Sequence, residues 1–118
     1  MNDVDTTKPR FNFRAYERAL RLVTLLAEIL REIARHDADL ARQARRCLTS
    51  VPLNIAEGAE SSGKLRIARY RSSLGSVNEL IACLDVAEAL GYVRVDEEVR
   101  DAAQHVRATL LNLVRPKR

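Results

Sequence analysis

The stretch RAYERALRLVTLLAEILREIAR, residues 14–35, decides the fold class because its apolar residues recur at helical spacing. Placed at ~100° per residue, the apolar side chains cover an arc of ~220°, whereas a helix on a protein surface needs little more than ~100°. Leu22, Leu25 and Ile29 extend well beyond the main stripe. We therefore expect either a helix at the centre of its own bundle or a helix whose second flank is buried by another subunit.

Three more segments with helical periodicity follow, at about 38–60, about 64–90 and about 96–115. No run alternates apolar and polar residues with a period of two over a useful length, so no sheet is expected. Four helices with short connections favour an up-down-up-down arrangement. The sequence therefore predicts an all-α protein.

Local signals mark the ends of these segments. Asp37 or Asp39 can cap the second helix. Pro52 lies inside that helix and cannot donate a helical hydrogen bond, so a kink or local unwinding is expected there. Gly91 is a natural C-terminal cap for the third helix, and Tyr92 after it can fold back onto the helix.

The whole chain has the length and composition of one globular domain. It has 118 residues, of which 47% are hydrophobic and 31% charged, enough for one core without disulfides or metal. We expect a flexible N-terminal arm at 1–12, a single up-down-up-down four-helix bundle at 13–115 and a basic tail at 116–118. The start lacks a secretory signal pattern and no apolar stretch approaches the ~20 residues that cross a bilayer. A cytoplasmic protein without a membrane partner is expected.

Charge is unevenly distributed along the chain, although the net charge is only +4. Residues 42–71 carry a net +5, residues 79–101 a net −5, and the last four residues +3. A basic region of this kind can bind phosphates, face another subunit's acidic region, or form a solvated surface. The candidate nucleic-acid-binding residues are Arg42, Arg45, Arg46, Lys64, Arg66, Arg69, Arg115, Lys117 and Arg118.

The sequence contains no complete motif for catalysis or for cofactor binding. Residues 58–64 read G-x-x-x-x-G-K, but Leu65 follows where a phosphate-binding loop needs Ser or Thr, and a helix precedes. His36 and His105 have no ligand at metal-binding spacing, and Cys47 and Cys83 have no nearby base. We predict no catalytic residues, metal or cofactor, and no enzyme activity.

A polar set remains within the second and third segments. Glu57 and Glu79 can each pair with Arg45, Arg46 or Asn54 inside the bundle, because a buried charge must be neutralised or satisfied. We predict a structural polar network of Asn54, Glu57 and Glu79. A shared acid–base site is the alternative.

Three motifs resemble the ribosomal RNA intervening-sequence protein family. They are Ser50-Val51-Pro52-x-Asn54-Ile55-Ala56-Glu57-Gly58, Leu74-Gly75-Ser76-x-x-Glu79-Leu80 and Ala87-x-x-Leu90-Gly91-Tyr92. The resemblance implies a four-helix bundle that assembles into a homopentameric ring. It also implies a relation to the accessory variability proteins of diversity-generating retroelements, which bind a reverse transcriptase and nucleic acid through a basic surface. The sequence departs from the family pattern early in the third helix, where Arg66 and Arg69 flank Ile67 and Ala68 and many relatives carry aromatic residues.

Two functions of different classes follow. In the first, the oligomer is a nucleic-acid-associated adaptor that binds RNA or DNA and a polymerase-type protein partner. In the second, it is purely a protein–protein assembly scaffold whose charges mediate contacts between subunits.

Overall fold

The computed structural model describes residues 14–116, and four α-helices account for most of them. No strand occurs in this range, so the predicted all-α class is confirmed. Each predicted helix boundary lies within two residues of the observed one. The predicted arm at 1–12, together with Lys117 and Arg118, lies outside the described residues. The helices are α1 (Arg14–His36), α2 (Ala38–Ala59), α3 (Gly63–Ala89) and α4 (Glu97–Val114).

Side chains and backbone geometry end the helices where the sequence predicts. The Asp37 carboxylate accepts a hydrogen bond from the Leu40 amide at 2.9 Å, and Asp96 caps α4 in the same way. At the end of α3, Gly91 has a φ of 78°, and the Tyr92 amide donates to the Ala87 carbonyl. This is a Schellman motif, which requires the left-handed conformation that glycine adopts without strain.

Helix α1 packs against both α2 and α4, and this explains its wide apolar arc. Leu22 is fully buried, and Leu25 and Ile29 pack partly buried against the core. The arc is therefore covered mostly within one chain, by the two neighbouring helices on which α1 packs. Only Leu20, 37% exposed, remains as a large exposed apolar side chain on α1.

Helices α2 and α3 are joined by buried polar contacts around Pro52. The Ser73 hydroxyl donates to the Val51 carbonyl at 2.8 Å, and the Ser76 hydroxyl donates to the Ser50 hydroxyl at 2.8 Å. Helix α2 continues through Pro52, so of the two predicted alternatives local unwinding does not occur, and a kink stays a prediction. The buried proline lies in a helix that α3 supports on one side, and the loss of one backbone donor does not interrupt it.

Gly58 is the point of closest approach between α2 and α3. The Tyr70 ring, 5% exposed, lies directly against the Gly58 backbone. A Cβ built on Gly58 would stand 2.7 Å from Tyr70 Cδ1 and closer still to Cε1. Because the ring is enclosed by the core, it can move away from an added methyl group only by displacing its neighbours.

No helix within residues 14–116 is long and apolar enough to cross a membrane.

The Gly58 contact predicts that Gly58→Ala lowers the free energy of unfolding by about 1–3 kcal/mol, because overpacking shifts the Tyr70 ring or the helices. Gln104→Ala is the control, since Gln104 is an exposed residue inside α4. An alanine there should be close to neutral. Thermal melting followed by circular dichroism checks both. Equal melting temperatures for the two variants would contradict the close contact.

Candidate nucleic-acid interface

A groove with an apolar floor and arginine rims lies between α1 and α2. It consists of two adjoining depressions of about 260 and 160 Å³. Both depressions are lined by Leu30, Arg31 and Arg45. Helix α1 supplies Arg31 and α2 supplies Arg45, because the short connection at Asp37 folds the two helices back on each other. We call this surface the α1/α2 groove.

The arginines around the groove are mostly available to a ligand. Arg42 pairs with Asp39 at 2.9 Å and Arg31 pairs with Glu28, both as exposed contacts between residues three positions apart on one helix. Within the described part of the chain, the side chains of Arg45 and Arg46 have no hydrogen-bond or ion-pair partner. Exposed ion pairs contribute only ~0–1 kcal/mol each, so an incoming phosphate can replace them.

The other predicted basic residues form a second cluster at the turn from α2 to α3. Arg66 Nε donates to the Ser61 carbonyl at 2.9 Å and to the Gly58 carbonyl at 3.1 Å. These carbonyls belong to the end of α2 and to the following turn, so Arg66 caps the C-terminus of α2. Lys64 is exposed, and Arg69 pairs with Glu57 at 3.1 Å.

The structure therefore does not bring the predicted basic set onto one surface. Arg46 and Gly58 are separated by roughly 18 Å along α2 at 1.5 Å per residue. Arg42 and Arg45 line the groove, and Arg46 is exposed one residue further along α2. Arg66 and Arg69 lie at the far end of α2, where they contact Gly58 and Glu57. Arg115 is exposed just after α4, and Lys117 and Arg118 lie outside the described residues.

Arg31 was not among the predicted residues, although it lines both depressions. It lies in α1, outside the basic segment at 42–71. The available signal was the tight connection at His36–Asp37, which returns α2 along α1 and places Arg31 near Arg42 and Arg45.

The structure does not join Asn54, Glu57 and Glu79 into the predicted network, because each of them has a different partner. Asn54 donates to the Ser50 carbonyl at 3.0 Å and to the Ser50 hydroxyl at 2.9 Å, so it does take part in a polar contact within α2. Glu57 is exposed and pairs with Arg69, and Glu79 is exposed and accepts from Gln43 Nε2 at 3.2 Å. The prediction that the two carboxylates are buried is wrong, because both lie at the outer edge of the α2–α3 contact. Serine hydroxyls form the inner polar contacts instead.

Matches to known proteins support the resemblance. The model of the 23S rRNA-intervening sequence protein family matches residues 12–112. This chain belongs to that family.

A solved structure shares the fold. It is the 1.70 Å crystal structure of a protein of unknown function from the S23 ribosomal protein family of Bacteroides thetaiotaomicron. The two chains superpose with a TM-score of 0.76 at 15% sequence identity, over 86% of this chain and 99% of that one. At this identity the likeness concerns the fold alone. No curated protein matches this chain significantly.

Two buried thiols lie beside Glu79 in the α2–α3 contact. Burial, reinforced by a hydrogen bond to Glu79 and by its negative charge, raises the pKa of the Cys47 thiol to about 12. Burial also raises the pKa of the Cys83 thiol, which is in hydrogen-bond contact with Cys47. A thiol with so high a pKa is a poor nucleophile at neutral pH. In residues 14–116 no three His, Cys, Asp or Glu side chains are grouped so as to hold a metal ion.

The role of Arg66 as a cap can be separated from a role in ligand binding. Arg66→Ala should lower the free energy of unfolding by about 1 kcal/mol, because it removes donors from the carbonyls at the end of α2. Arg46→Ala is the control, since Arg46 is an exposed arginine without a partner among residues 14–116. Urea denaturation at constant protein concentration measures both. If the two variants unfold at the same midpoint as the parent, the cap contributes nothing.

The raised thiol pKa predicts a loss of stability at high pH. Above the usual thiol pKa of 9.0 the unfolded chain releases a proton that the folded chain keeps on Cys47 up to about pH 12. The free energy of unfolding should therefore decrease from about pH 9 upward, by at most ~1.4 kcal/mol per pH unit for this group. In Cys47→Ser the decrease between pH 8 and pH 10 should be smaller than in the parent. Identical decreases in urea denaturation would show that Cys47 does not titrate differently in the two states.

Proposed function

We propose that this protein is a non-catalytic, oligomeric adaptor of the cytoplasm that binds the phosphate backbone of RNA or DNA at the α1/α2 groove. The observation that carries the proposal is Arg45, which is exposed, lines both depressions together with Arg31 and has no hydrogen-bond or ion-pair partner among the described residues. Arg46, the next residue of α2, is also exposed and without such a partner. A guanidinium presents planar donors that match phosphate oxygens, and two of them one residue apart can engage adjacent phosphates.

The binding is non-specific in base sequence. Arginines at a groove rim contact the phosphate backbone, which carries no sequence information. Stacking on unpaired bases needs aromatic platforms, and the depressions are lined by aliphatic side chains, arginines and Thr49. Affinity therefore comes from release of counterions and falls steeply with salt.

The assembled form is part of the proposal. We propose that the four helices form an up-down-up-down bundle. Polar contacts pair α2 with α3 in opposite chain order, from Gln43–Glu79 through Ser50–Ser76 to Glu57–Arg69. We further propose that subunits associate in a ring, a pentamer as the family resemblance implies. A ring repeats each weak arginine groove, and several grooves on one polymer bind more tightly than one by raising the effective concentration.

A polymerase-type protein is the proposed second partner. The support is the resemblance to accessory variability proteins, which act beside a reverse transcriptase. An adaptor that holds nucleic acid on one surface needs a separate protein-binding surface, and the chain has exposed apolar side chains away from the groove, among them Leu53 and Leu111.

A protein–protein scaffold is the second candidate, and the groove floor favours it. Leu30, Ala34 and Ala41 give the depressions an apolar base between the arginine rims. An amphipathic acidic helix of another protein fits such a surface, with apolar side chains on the floor and carboxylates on the arginines. Nucleic-acid titration distinguishes the two functions.

The adaptor function predicts a salt-dependent affinity that the groove arginines control. Labelled single- and double-stranded oligonucleotides are titrated at low and moderate salt, with log Kd plotted against log salt. Replacing both Arg45 and Arg46 by Gln should weaken binding and reduce the slope on duplex by up to ~1.8, since each phosphate contact contributes ~0.9. The subunit number should not change.

The double variant Arg14→Gln with Arg94→Gln is the matched control. It removes the same charge from two other exposed arginines and should keep most of the affinity and nearly the full slope. The scaffold function takes precedence if the parent fails to bind at low salt, or if the groove variant and the control lose affinity equally.

A further inference from the structure

The outward face of α3 differs from every other exposed helix surface of the described chain. Eight residues alternate in steps of three and four along it, and every one is exposed. Seven are apolar or small, and Glu79 is the only charged member. They are Leu65, Ala68, Ser72, Gly75, Glu79, Ala82, Val86 and Ala89. We call this surface the α3 face.

The α3 face is apolar where a solvated surface would be charged. Leu65 is 56% exposed and Val86 47% exposed, and Leu90 at the end of the helix is 56% exposed. Outward positions of α1 carry charges such as Glu28, Arg31 and Glu32. A strictly alternating three–four spacing over about three and a half heptads is the pattern of a coiled-coil seam. A seam of this kind is buried by a partner helix.

Neither neighbouring helix covers the α3 face along its length. Helix α2 reaches it at Glu79, which accepts from Gln43 Nε2 at 3.2 Å and lies beside the Cys47 thiol. Helix α2 contacts α3 through Arg69, Ser73 and Ser76, which lie on one side of the helix. Helix α4 contacts the opposite side through Asn78 and Asp85. The α3 face lies between these two sides, and a Cβ placed on Gly75 meets no atom within 4 Å.

We propose that the α3 face binds the α3 face of a second copy of this chain, with the two helices antiparallel about a two-fold axis near Val77. In this register each seam position meets the position equally far on the other side of Val77. Leu65 then packs on Ala89, and Val86 packs on Ala68. The remaining layers pair Ser72 with Ala82 and Glu79 with Gly75.

Side-chain size supports this register. The large apolar residues, Leu65 and Val86, each meet an alanine, and the one long polar side chain, Glu79, meets glycine. Antiparallel coiled coils pack when a large side chain on one helix fills the space beside a small one on the other. A parallel pairing would place Leu65 on Leu65 and Glu79 on Glu79, which leaves two carboxylates in contact at the seam.

Charge supports the same orientation. The first half of α3 carries Lys64, Arg66, Arg69 and Arg71, and the second half carries Glu79, Asp85 and Glu88. Lys64 and Arg71 lie beside the α3 face and have no partner within residues 14–116. An antiparallel copy places its acidic half beside these two cations, whereas a parallel copy places like charges together.

This pairing does not depend on nucleic-acid binding, because the α1/α2 groove lies on other helices. It is also compatible with a ring. A two-fold contact joins two chains where no other interface exists and joins two rings where a ring forms. Loss of the α3 contact therefore halves the mass of the particle in either case.

The first experiment measures that mass by light scattering at micromolar concentration. Ala82→Arg places a charge in the seam and should halve the parent's particle mass. Ala108→Arg makes the same change at an exposed alanine of α4 and should leave the mass unchanged. Far-ultraviolet circular dichroism confirms that both variants keep their helices. A parent that is already a 13.3 kDa monomer, or a mass that Ala82→Arg does not change, overturns the proposal and assigns the face to a different protein or to solvent.

The second experiment tests the orientation by disulfide crosslinking under mild oxidation. The double variant Leu65→Cys with Ala89→Cys should form covalent dimers, because each new thiol meets its counterpart across the seam. Neither single variant should do so, since the like positions of two antiparallel copies are roughly 36 Å apart at 1.5 Å per residue. Crosslinking by the single variants would show a parallel pairing and overturn the antiparallel register. Ala82→Arg should still bind oligonucleotides, with the affinity of a particle that has half as many grooves. The α3 pairing and the adaptor function can therefore fail independently of each other.

Discussion

The close packing of α2 on α3 is the constraint on which the other contacts depend. Tyr70 lies on the bare backbone of Gly58, and the Ser73 hydroxyl reaches the Val51 carbonyl in the same interface. Any side chain at position 58 would separate the helices where the serine contacts need them close. Helix α1 packs on α2, and α4 packs on α3 and returns to α1. The spacing of this central pair therefore sets the positions of both outer helices, and it gives a physical reason for the Asn-Ile-Ala-Glu-Gly motif that ends α2.

Much of the fold is readable from the sequence because its signals are local. Asp37, Asp96 and Gly91 act on backbone groups within a few residues, so their roles follow from spacing alone. The positions of Glu57 and Glu79 depend instead on how far α2 and α3 rotate towards each other. The sequence places both residues near the contact between α2 and α3. It does not show whether they lie inside the contact or at its edge, because a rotation of either helix about its axis by one residue position would exchange the two. The serines that do lie inside carry the weaker sequence signal.

Arginines that look alike in sequence have different roles in the structure. Arg66 donates to carbonyls that end α2, and Arg69 offsets the exposed Glu57. Arg45 and Arg46 have no hydrogen-bond or ion-pair partner among the described residues, and Arg45 lines the α1/α2 groove. The net charge of residues 42–71 counts these four arginines equally. The guanidinium donors that already bind the carbonyls at the end of α2, however, are not available to a phosphate. The arginines available to a ligand are thus fewer than the basic segment suggests, and they are concentrated beside α1.

Helix α3 shows why a periodic pattern can conceal a second surface. Its buried residues, among them Val77, Leu80 and Leu84, form one apolar stripe, while Leu65, Ala82 and Val86 form another on the opposite side. Because the two apolar faces lie on opposite sides, α3 shows almost no net amphipathicity, and its sequence pattern does not single out either face. Only the contacts of α2 and α4 show which face the chain itself buries. The face that remains alternates in steps of three and four, which keeps it aligned with a single partner helix over its length. The outward face of any helix recurs in steps of three and four, but a solvated face of this length normally carries several charges. Seven of the eight positions here are uncharged, and this is the reason to regard the α3 face as a contact surface and not as inert exterior.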